Sequence, residues 1–286
     1  MLGRRADGLH ELHTVFQTIT LADRLSFSLR DDGQLSLSCD DAAIPVDERN
    51  LVLRAATALR ERYHLPQGAD IQLEKRIPVE GGLGGGSSNA AVALLGLAYL
   101  WKAGATSDEL AEIGAKLGAD VPFFLTGGTA LGTGLGTEVE PLEEVRAEHL
   151  LVVAPGVGVS TAEAYKQLKA RALTKDSGDI ILSISRAGAT FGDSLPYGLH
   201  NDFERVVLSS EAEIARARDA LLKAGARGAL LAGSGSSVFG IFENREELER
   251  GALALSAEKR WRVFPCRALS RAEYYEALGP AAAALL

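Results

Sequence analysis

The residues best suited to chemistry form a dense glycine loop in the first half of the chain. Residues 78–90 read Pro-Val-Glu-Gly-Gly-Leu-Gly-Gly-Gly-Ser-Ser-Asn-Ala, and five glycines fall among the six residues 81–86. Glycine loses much conformational entropy on folding, so such a run is expected where the backbone approaches a ligand closely or adopts positive φ. A helix is predicted to follow at once, and the free N–H groups of a helix N-terminus bind phosphate. The loop therefore predicts a phosphate site, to which Ser87 and Ser88 add hydroxyls for phosphate oxygens or Mg²⁺.

Three other interpretations of this loop fit less well. A dinucleotide-binding GxGxxG motif counted from Gly84 would place its third small residue where Asn89 stands. A Walker A loop needs Gly-Lys-Ser/Thr, and this loop contains no lysine. A plain flexible turn would leave the serines and the helix start unexplained. A phosphate cradle without a Walker lysine is therefore favoured.

Two later segments carry further candidate residues. Residues 117–124 read Leu-Gly-Ala-Asp-Val-Pro-Phe-Phe and contain Asp120, while residues 232–239 read Ala-Gly-Ser-Gly-Ser-Ser-Val-Phe. Alone, Asp120 would be an ordinary turn residue and the second loop a hairpin connection. The three segments, in this order and at similar spacing, resemble the three motifs of the GHMP kinases. The resemblance implies an ATP- and Mg²⁺-dependent small-molecule kinase.

The resemblance also implies a fold and a set of roles. The fold is α+β with two domains, the first like ribosomal protein S5 domain 2 and the second ferredoxin-like. Asp120 is the implied catalytic residue, which accepts or orients the proton of the substrate hydroxyl, and Ser88 is the implied Mg²⁺ ligand. The implied nucleotide-binding residues are Asn50, Pro78, Gly81, Gly82, Leu83, Gly84, Gly85, Gly86, Ser87, Ser88, Gly233 and Gly235.

Two segments indicate the substrate. Residues 4–12, Arg-Arg-Ala-Asp-Gly-Leu-His-Glu-Leu, and residues 157–165, Val-Gly-Val-Ser-Thr-Ala-Glu-Ala-Tyr, resemble the cytidine pocket of the GHMP kinases that phosphorylate the 2-hydroxyl of CDP-methylerythritol in non-mevalonate isoprenoid synthesis. The resemblance implies that His10 hydrogen-bonds the cytosine, that Tyr165 stacks on it and that Thr161 contacts the substrate. Without the resemblance, Tyr165 could equally be a residue packed on a helix face.

The sequence departs from the family pattern at two points. Leu9 stands where these kinases have a tyrosine, and the N-terminal Pro-Ala-Lys-x-Asn string is absent, since the first lysine is Lys75. We expect about ten to fifteen further residues upstream, the length of one strand and its flanks. The other interpretation is a natural loss of the lysine that leaves a weak or inactive enzyme.

Three alternatives therefore stay open. The first is another GHMP kinase, such as a mevalonate or homoserine kinase, against which the cytidine-pocket segments argue. The second is a nucleotide-binding homologue that does not catalyse, because the family lysine is missing. The third is an NAD-binding dehydrogenase, for which Asp120 and the second loop would be coincidences.

Composition excludes several other classes. The 286 residues are 47% hydrophobic and 24% charged, with a net charge of −8, so an extended nucleic-acid surface is not expected. Cys39 and Cys266 belong to no CxxC pair, and no apolar run reaches the roughly 20 residues of a membrane span. The N-terminus has no apolar signal-peptide core. We expect a cytoplasmic monomer or homodimer whose partner is a small-molecule substrate.

The elements that must position these residues can be predicted from periodicity. Alternating apolar residues predict strands at 25–29 and 35–39, with a hairpin turn at 31–33 between them. Helical spacing is seen at 50–63 and 87–101, and a helix capped by Ser107 is expected to reach Leu117. Strands and helices mix without strict βαβ alternation, which favours α+β. A charged stretch near residue 145 predicts two domains, 1–145 and 146–286.

Overall fold

The computed structural model describes residues 3–4, 10–169 and 200–285. The strands, in chain order, are β1 (Gly3–Arg4), β2 (His10–Gln17), β3 (Arg24–Arg30), β4 (Leu35–Cys39), β5 (Gly68–Glu74), β6 (Thr129–Gly134), β7 (Glu138–Pro141), β8 (Leu150–Ala154), β9 (Gly228–Leu231), β10 (Val238–Ile241) and β11 (Arg262–Cys266). The helices are α1 (Leu51–Tyr63), α2 (Gly85–Leu100), α3 (Ser107–Leu117), α4 (Val121–Thr126), α5 (Thr161–Lys169), α6 (Glu204–Ser210), α7 (Ala212–Lys223), α8 (Arg245–Leu255), α9 (Arg271–Leu278) and α10 (Pro280–Leu285).

The strands form three sheets. Their orders are β1-β2-β6-β7, β3-β5-β4 and β11-β8-β10-β9, and every pairing is antiparallel except that of β4 with β5. Helices and largely antiparallel sheets thus share the chain, which confirms the predicted α+β class. None of the described helices is both long enough and apolar enough to cross a bilayer.

The predicted hairpin between β3 and β4 is wrong. Both strands pair with β5, which lies between them, antiparallel to β3 and parallel to β4. β5 takes the central place because its Ala69, Ile71 and Leu73 are at most 2% exposed. The first residue of β5 must be glycine, because a Cβ at position 68 would lie 2.0 Å from the carbonyl oxygen of Gln34. A tertiary contact therefore separates two strands that a turn brings together in sequence.

The predicted start of α3 is also corrected. The N-cap is Thr106, not Ser107, and Thr106 forms a capping box with Glu109. The Thr106 hydroxyl accepts from the Glu109 N–H at 3.3 Å, while the Glu109 carboxylate accepts from the Thr106 N–H at 3.0 Å. A Thr with Glu three residues later satisfies two otherwise unpaired N–H groups, which Ser107 followed by Leu110 cannot do.

The helix α2 lies at the centre of the first hydrophobic core. Its Leu94, Leu95 and Leu97 are at most 1% exposed, and it packs against α1, α4 and α10. A helix that is apolar on every face is stable only when it is surrounded by protein. The end of α2 that follows the glycine loop is consequently held in place by packing along the rest of the helix. A second core forms around β8, β9, β10 and α7 in the later half.

The C-terminal helices return to the first half of the chain. The hydroxyls of Tyr274 and Tyr275 donate to the carbonyl oxygens of Phe124 and Thr126 at 2.7 and 2.8 Å. These carbonyls belong to the last turn of α4, which has no further intrahelical donors. α9 thus completes the end of the short helix that begins next to Asp120.

Candidate active site

The glycine loop ends in an open helix N-terminus. Gly84 has φ 66° and ψ 17°, a left-handed conformation that glycine adopts at no steric cost, and α2 begins directly after it. The first helical hydrogen bond runs from the Ser88 N–H to the Gly84 carbonyl at 2.8 Å. The N–H groups of Gly85, Gly86 and Ser87 lie ahead of that bond, where helices leave backbone donors available to an anion.

The two glycine loops touch through their backbones. The N–H of Ser237 donates to the Gly81 carbonyl at 3.0 Å, and the N–H of Ser236 donates to the Glu80 carbonyl at 3.3 Å. A Cβ at Gly82 would lie 2.2 Å from the Ala232 carbonyl oxygen, a distance that no side chain tolerates. The structure therefore brings together two glycine segments far apart in sequence, and glycine is required where they meet.

The serines after the glycines face the segment that carries the aspartate. The Ser87 hydroxyl lies 3.6 Å from the point where a Cβ would stand if residue 118 were not glycine. Gly118 comes two residues before Asp120. Ser87 and Ser88 are half-buried, and their hydroxyls make no hydrogen bond within the described ranges. The open helix end and two unused hydroxyls fit a phosphate group and a divalent cation. No cluster of three or more His, Cys, Asp or Glu that could hold a metal occurs among the described residues.

Asp120 occupies the N-cap position of α4 without acting as a cap. Its side chain makes no capping hydrogen bond to the helix, and no other partner is found in the part of the chain that the structure describes. The residue is half-buried, and burial raises the pKa of its carboxyl above the ordinary value. A carboxylate that the fold leaves unpaired beside a phosphate-binding loop is suited to accept a proton from a bound ligand.

Tyr165, on α5, lies within electrostatic range of Asp120. Burial first, and then the charge of Asp120, raise the pKa of the Tyr165 hydroxyl to about 12. The ring packs edge-on against Phe203, with ring centroids 4.9 Å apart. On the same helix, the hydroxyl of Thr161 lies 3.0 Å from that of Ser234. This last contact ties the start of α5 to the second glycine loop.

A pocket of about 400 Å³ opens between these segments. Glu80 stands at its edge with φ 53°, a conformation that is uncommon outside glycine. One carboxylate oxygen of Glu80 lies 2.8 Å from where a Cβ would stand at Gly158, so the two lining residues are in close contact. The lining residues come from both glycine loops and from the segment leading into α5: Glu80, Gly82, Gly158, Val159, Ser160, Thr161, Ala162 and Gly235.

Other predicted site residues have different surroundings. Asn50 is the N-cap of α1, where its side chain accepts from the Val52 N–H at 2.9 Å and donates to the Pro45 carbonyl at 2.7 Å. Its nucleotide-binding role stays a prediction, as do those of the buried Pro78 and the half-buried Leu83. His10 begins β2, but its side chain lies outside the described residues, as does Leu9 altogether.

Sequence reasoning missed a buried ion pair behind the glycine loop. The Lys75 ammonium lies 2.9 Å from the Asp23 carboxylate, and the two side chains are 7% and 1% exposed. The ammonium is also 3.5 Å from the Cβ position of Gly85, at the first turn of α2. Lys75 could have been singled out because it comes just before the glycine loop, but no local pattern links it to Asp23, which lies far away in sequence.

Comparison with known proteins adds a family to this geometry. Residues 50–128 match the GHMP kinases N terminal domain, and residues 181–260 match the GHMP kinases C terminal domain. The chain is 40% identical over 264 residues to the 4-diphosphocytidyl-2-C-methyl-D-erythritol kinase of Syntrophotalea carbinolica, and 92% of each chain is covered. It is 39% identical over 251 residues to the enzyme of the same name from Shouchella clausii, covering 87% of this chain and 84% of that enzyme.

Solved structures give the same result. A crystal structure of 4-(cytidine 5'-diphospho)-2C-methyl-D-erythritol kinase superposes with a TM-score of 0.77 at 36% identity, covering 93% of this chain and 94% of that chain. A homoserine kinase from Cytophaga hutchinsonii superposes with a TM-score of 0.65 at 22% identity, covering 87% of this chain and 86% of that chain. The second similarity is one of fold alone.

Proposed function

Since the chain belongs to the GHMP kinases, and within them to the 4-diphosphocytidyl-2-C-methyl-D-erythritol kinases, we propose that it transfers a phosphoryl group from ATP to the 2-hydroxyl of 4-diphosphocytidyl-2-C-methyl-D-erythritol. This is a step of non-mevalonate isoprenoid precursor synthesis. One observation carries the proposal at the level of the site. The open N-terminus of α2 lies beside the segment that carries the unpaired Asp120, since the Ser87 hydroxyl is 3.6 Å from where a Cβ would lie at Gly118, two residues before the aspartate.

The first glycine loop is proposed to hold the nucleotide phosphates. The N–H groups of Gly85, Gly86 and Ser87 can donate to phosphate oxygens, and the positive end of the α2 dipole favours their charge. The second loop closes against the first through the Gly81–Ser237 backbone hydrogen bond. Ser88 is the proposed Mg²⁺ ligand, supported by its unused hydroxyl in the described part of the chain. When bound, Mg²⁺ neutralises charge that develops on the transferring group.

Asp120 is proposed to take the proton from the substrate hydroxyl. A carboxylate in a partly dehydrated position is a stronger base than one in water, and burial raises the pKa of Asp120 for this reason. Because no described side chain or helix N–H neutralises it, its oxygens stay available for the substrate. Its part is to position the nucleophile and to hold the released proton, which suits phosphoryl transfer, where the protein mostly orients and neutralises.

The pocket beside α5 is proposed to bind the cytidine end of the substrate. Tyr165 has the aromatic ring for stacking on a base, and the ring is already held in place by Phe203. Thr161 lines the pocket and adds a hydroxyl for the substrate. His10 is the proposed partner of the cytosine edge. We also propose that residues 1–145 and 146–286 act as two domains, that the reaction is cytoplasmic, and that the protein is a monomer or homodimer.

The direct test is a kinase assay with three acceptors. ADP release should be seen with 4-diphosphocytidyl-2-C-methyl-D-erythritol and not with mevalonate or homoserine. Calorimetry with a non-hydrolysable ATP analogue and Mg²⁺ adds the binding step. Saturable binding of the cytidylyl substrate without turnover would indicate a homologue that binds and does not catalyse. Turnover of mevalonate or homoserine instead would refute the proposed substrate.

A further inference from the structure

A single buried carboxylate lies behind the phosphate loop and accepts from four donors. Oδ1 of Asp23 accepts from the N–H groups of Arg76 and Ile77 at 2.7 and 2.8 Å, and Oδ2 accepts from the side-chain amide of Asn89 at 2.9 Å. The fourth donor is the Lys75 ammonium, at 2.9 Å from Oδ2. The Asp23 side chain is 1% exposed, so these contacts replace the water it would otherwise bind.

The four donors flank the glycine loop on both sides. Residues 75–77 lead directly into the loop, and Asn89 lies on α2 immediately after the two serines. Asp23 itself comes from the segment between β2 and β3 and takes no part in the loop. One side chain therefore joins the chain that enters the loop to the helix that leaves it.

The loop needs such a connection because of its composition. Five glycines among six residues leave the backbone many conformations of similar energy, and only a few of them direct the N–H groups toward one point. Fixing both ends removes much of this freedom before a ligand arrives, which is the general basis of preorganised binding. Lys75 strengthens the connection, because its ammonium also donates to the Ile77 carbonyl and lies 3.5 Å from the Cβ position of Gly85.

We propose that Asp23 is a positioning residue for nucleotide binding, whose carboxylate holds the two ends of the phosphate loop at the separation that phosphate requires. The proposal rests on the proposed function in one respect, that the glycine loop binds the phosphates of ATP. It does not depend on which hydroxyl receives the phosphoryl group. The Asp23 side chain is buried against residues on both sides of the loop, so its effect on a ligand passes through the loop.

The test is Asp23→Asn, with binding measured separately for the two ligands. The amide keeps an acceptor for the backbone N–H groups but can no longer accept from Asn89 and Lys75 on its other atom. We expect the affinity for a non-hydrolysable ATP analogue with Mg²⁺ to fall about tenfold or more, the scale of a lost charge-assisted hydrogen bond. The affinity for the cytidylyl substrate should change by less than about twofold, because its proposed contacts Thr161 and Tyr165 lie on α5 and not on the loop.

Glu144→Gln is the matched control. Glu144 also joins distant segments, accepting from the N–H groups of Thr129 and Arg271 and pairing with the Arg271 guanidinium at 3.3 Å, but it contacts no residue of the glycine loop. This variant should have a lower melting temperature but an unchanged affinity for the ATP analogue. The proposal would be overturned if Asp23→Asn and Glu144→Gln lowered the melting temperature equally and had the same affinity for the ATP analogue. Asp23 would then be only a stabilising residue.

Two further measurements keep the test decisive if Asp23→Asn folds poorly. Asn89→Leu removes only the donor on α2 and keeps the Asp23–Lys75 pair. It should still lower the affinity for the ATP analogue. Amide hydrogen exchange of residues 81–88 without ligand should speed up in both loop variants and not in Glu144→Gln. Unchanged exchange and unchanged ATP affinity in Asn89→Leu would refute the proposal. A wild-type protein that binds ATP but does not phosphorylate the cytidylyl substrate would refute the proposed function and leave these two tests valid.

Discussion

Replacing Asp120 by asparagine separates its chemistry from any part it has in folding. The side chain caps no helix and has no hydrogen-bond or ion-pair partner within the described residues. Asparagine has nearly the same shape, so Asp120→Asn removes a base and leaves the surrounding contacts unchanged. The affinities for ATP and for the cytidylyl substrate should therefore stay close to those of the wild type.

The size of the effect on turnover follows from the role of the group. A positioned general base contributes about 100-fold to 10,000-fold to a rate. At 1.36 kcal/mol for each factor of ten, this corresponds to about 3–5 kcal/mol of transition-state stabilisation. We expect kcat to fall by about 100-fold or more while the dissociation constants of both substrates change little.

Stability should move in the opposite direction from activity. Burial raises the pKa of Asp120 in the folded protein, so the folded state binds the proton more tightly than the unfolded state. The free energy of unfolding then falls as the pH rises from the unfolded pKa, about 3.9, through the higher folded pKa, and stays lower above that window. Asp120→Asn lacks this loss. Its melting temperature should equal that of the wild type at acid pH and exceed it at pH 8.

The assay is steady-state kinetics from pH 5 to pH 9, together with thermal melts from about pH 3 to pH 9, so that the melts begin below the unfolded pKa. Wild-type kcat/KM should show an acidic limb above the ordinary range of an aspartate, because the base must be ionised to accept a proton. The limb should be missing from the residual activity of the variant. Undiminished kcat in Asp120→Asn would refute the reasoning, since an unpaired carboxylate beside the phosphate loop would then have no part in the reaction.

Three further predictions, two of them with a matched control, test the site and its backbone. Gly82→Ala should abolish binding of the ATP analogue in calorimetry, because its Cβ would lie 2.2 Å from a carbonyl oxygen of the second loop. Gly104→Ala is the control, since Gly104 has φ +67° and nothing lies within 4 Å of where its Cβ would stand. It should lower only the free energy of unfolding, by about 1 kcal/mol. Glu80→Gly should raise the free energy of unfolding in urea by about 1 kcal/mol, because glycine relieves the backbone strain of a φ of 53°. Lys102→Gly, at φ 52°, should raise it by a similar amount. A lower free energy of unfolding in both variants would contradict the strain argument. Tyr165→Leu removes aromatic stacking, so the affinity for the cytidylyl substrate should fall about tenfold in calorimetry, while the affinity for ATP stays unchanged. An equal loss of affinity for both ligands would argue against the pocket assignment.

Local features of the sequence were sufficient for the most informative predictions. The glycine run and the helix after it depend on interactions within a few residues, and Gly84 does adopt the left-handed conformation from which α2 starts. The order of the three motifs was enough to identify the family, because each motif is a short contiguous string. The α+β class followed from periodicity, which is likewise a property of neighbouring residues.

Pairings between distant residues required the tertiary structure. The turn at 31–33 predicted a hairpin, but β5 lies between the two strands because its apolar side chains need the centre of the sheet. A hairpin and a three-stranded arrangement are equally compatible with the alternation of β3 and β4. The choice depends on burial of a third segment, which no local window contains.

The site itself shows the same division. The sequence by itself determined that a phosphate-binding helix start, an aspartate and a second glycine loop were present. Only the tertiary structure decided that the two loops meet at Gly81 and Ser237 and that Tyr165 comes close enough to Asp120 for its charge to raise the tyrosine pKa. It also revealed Asp23, which meets residues 75–77 and Asn89 only after folding. The physical reason is that residue type and spacing encode local conformation, whereas the surroundings of a buried charge are supplied by segments that folding brings together.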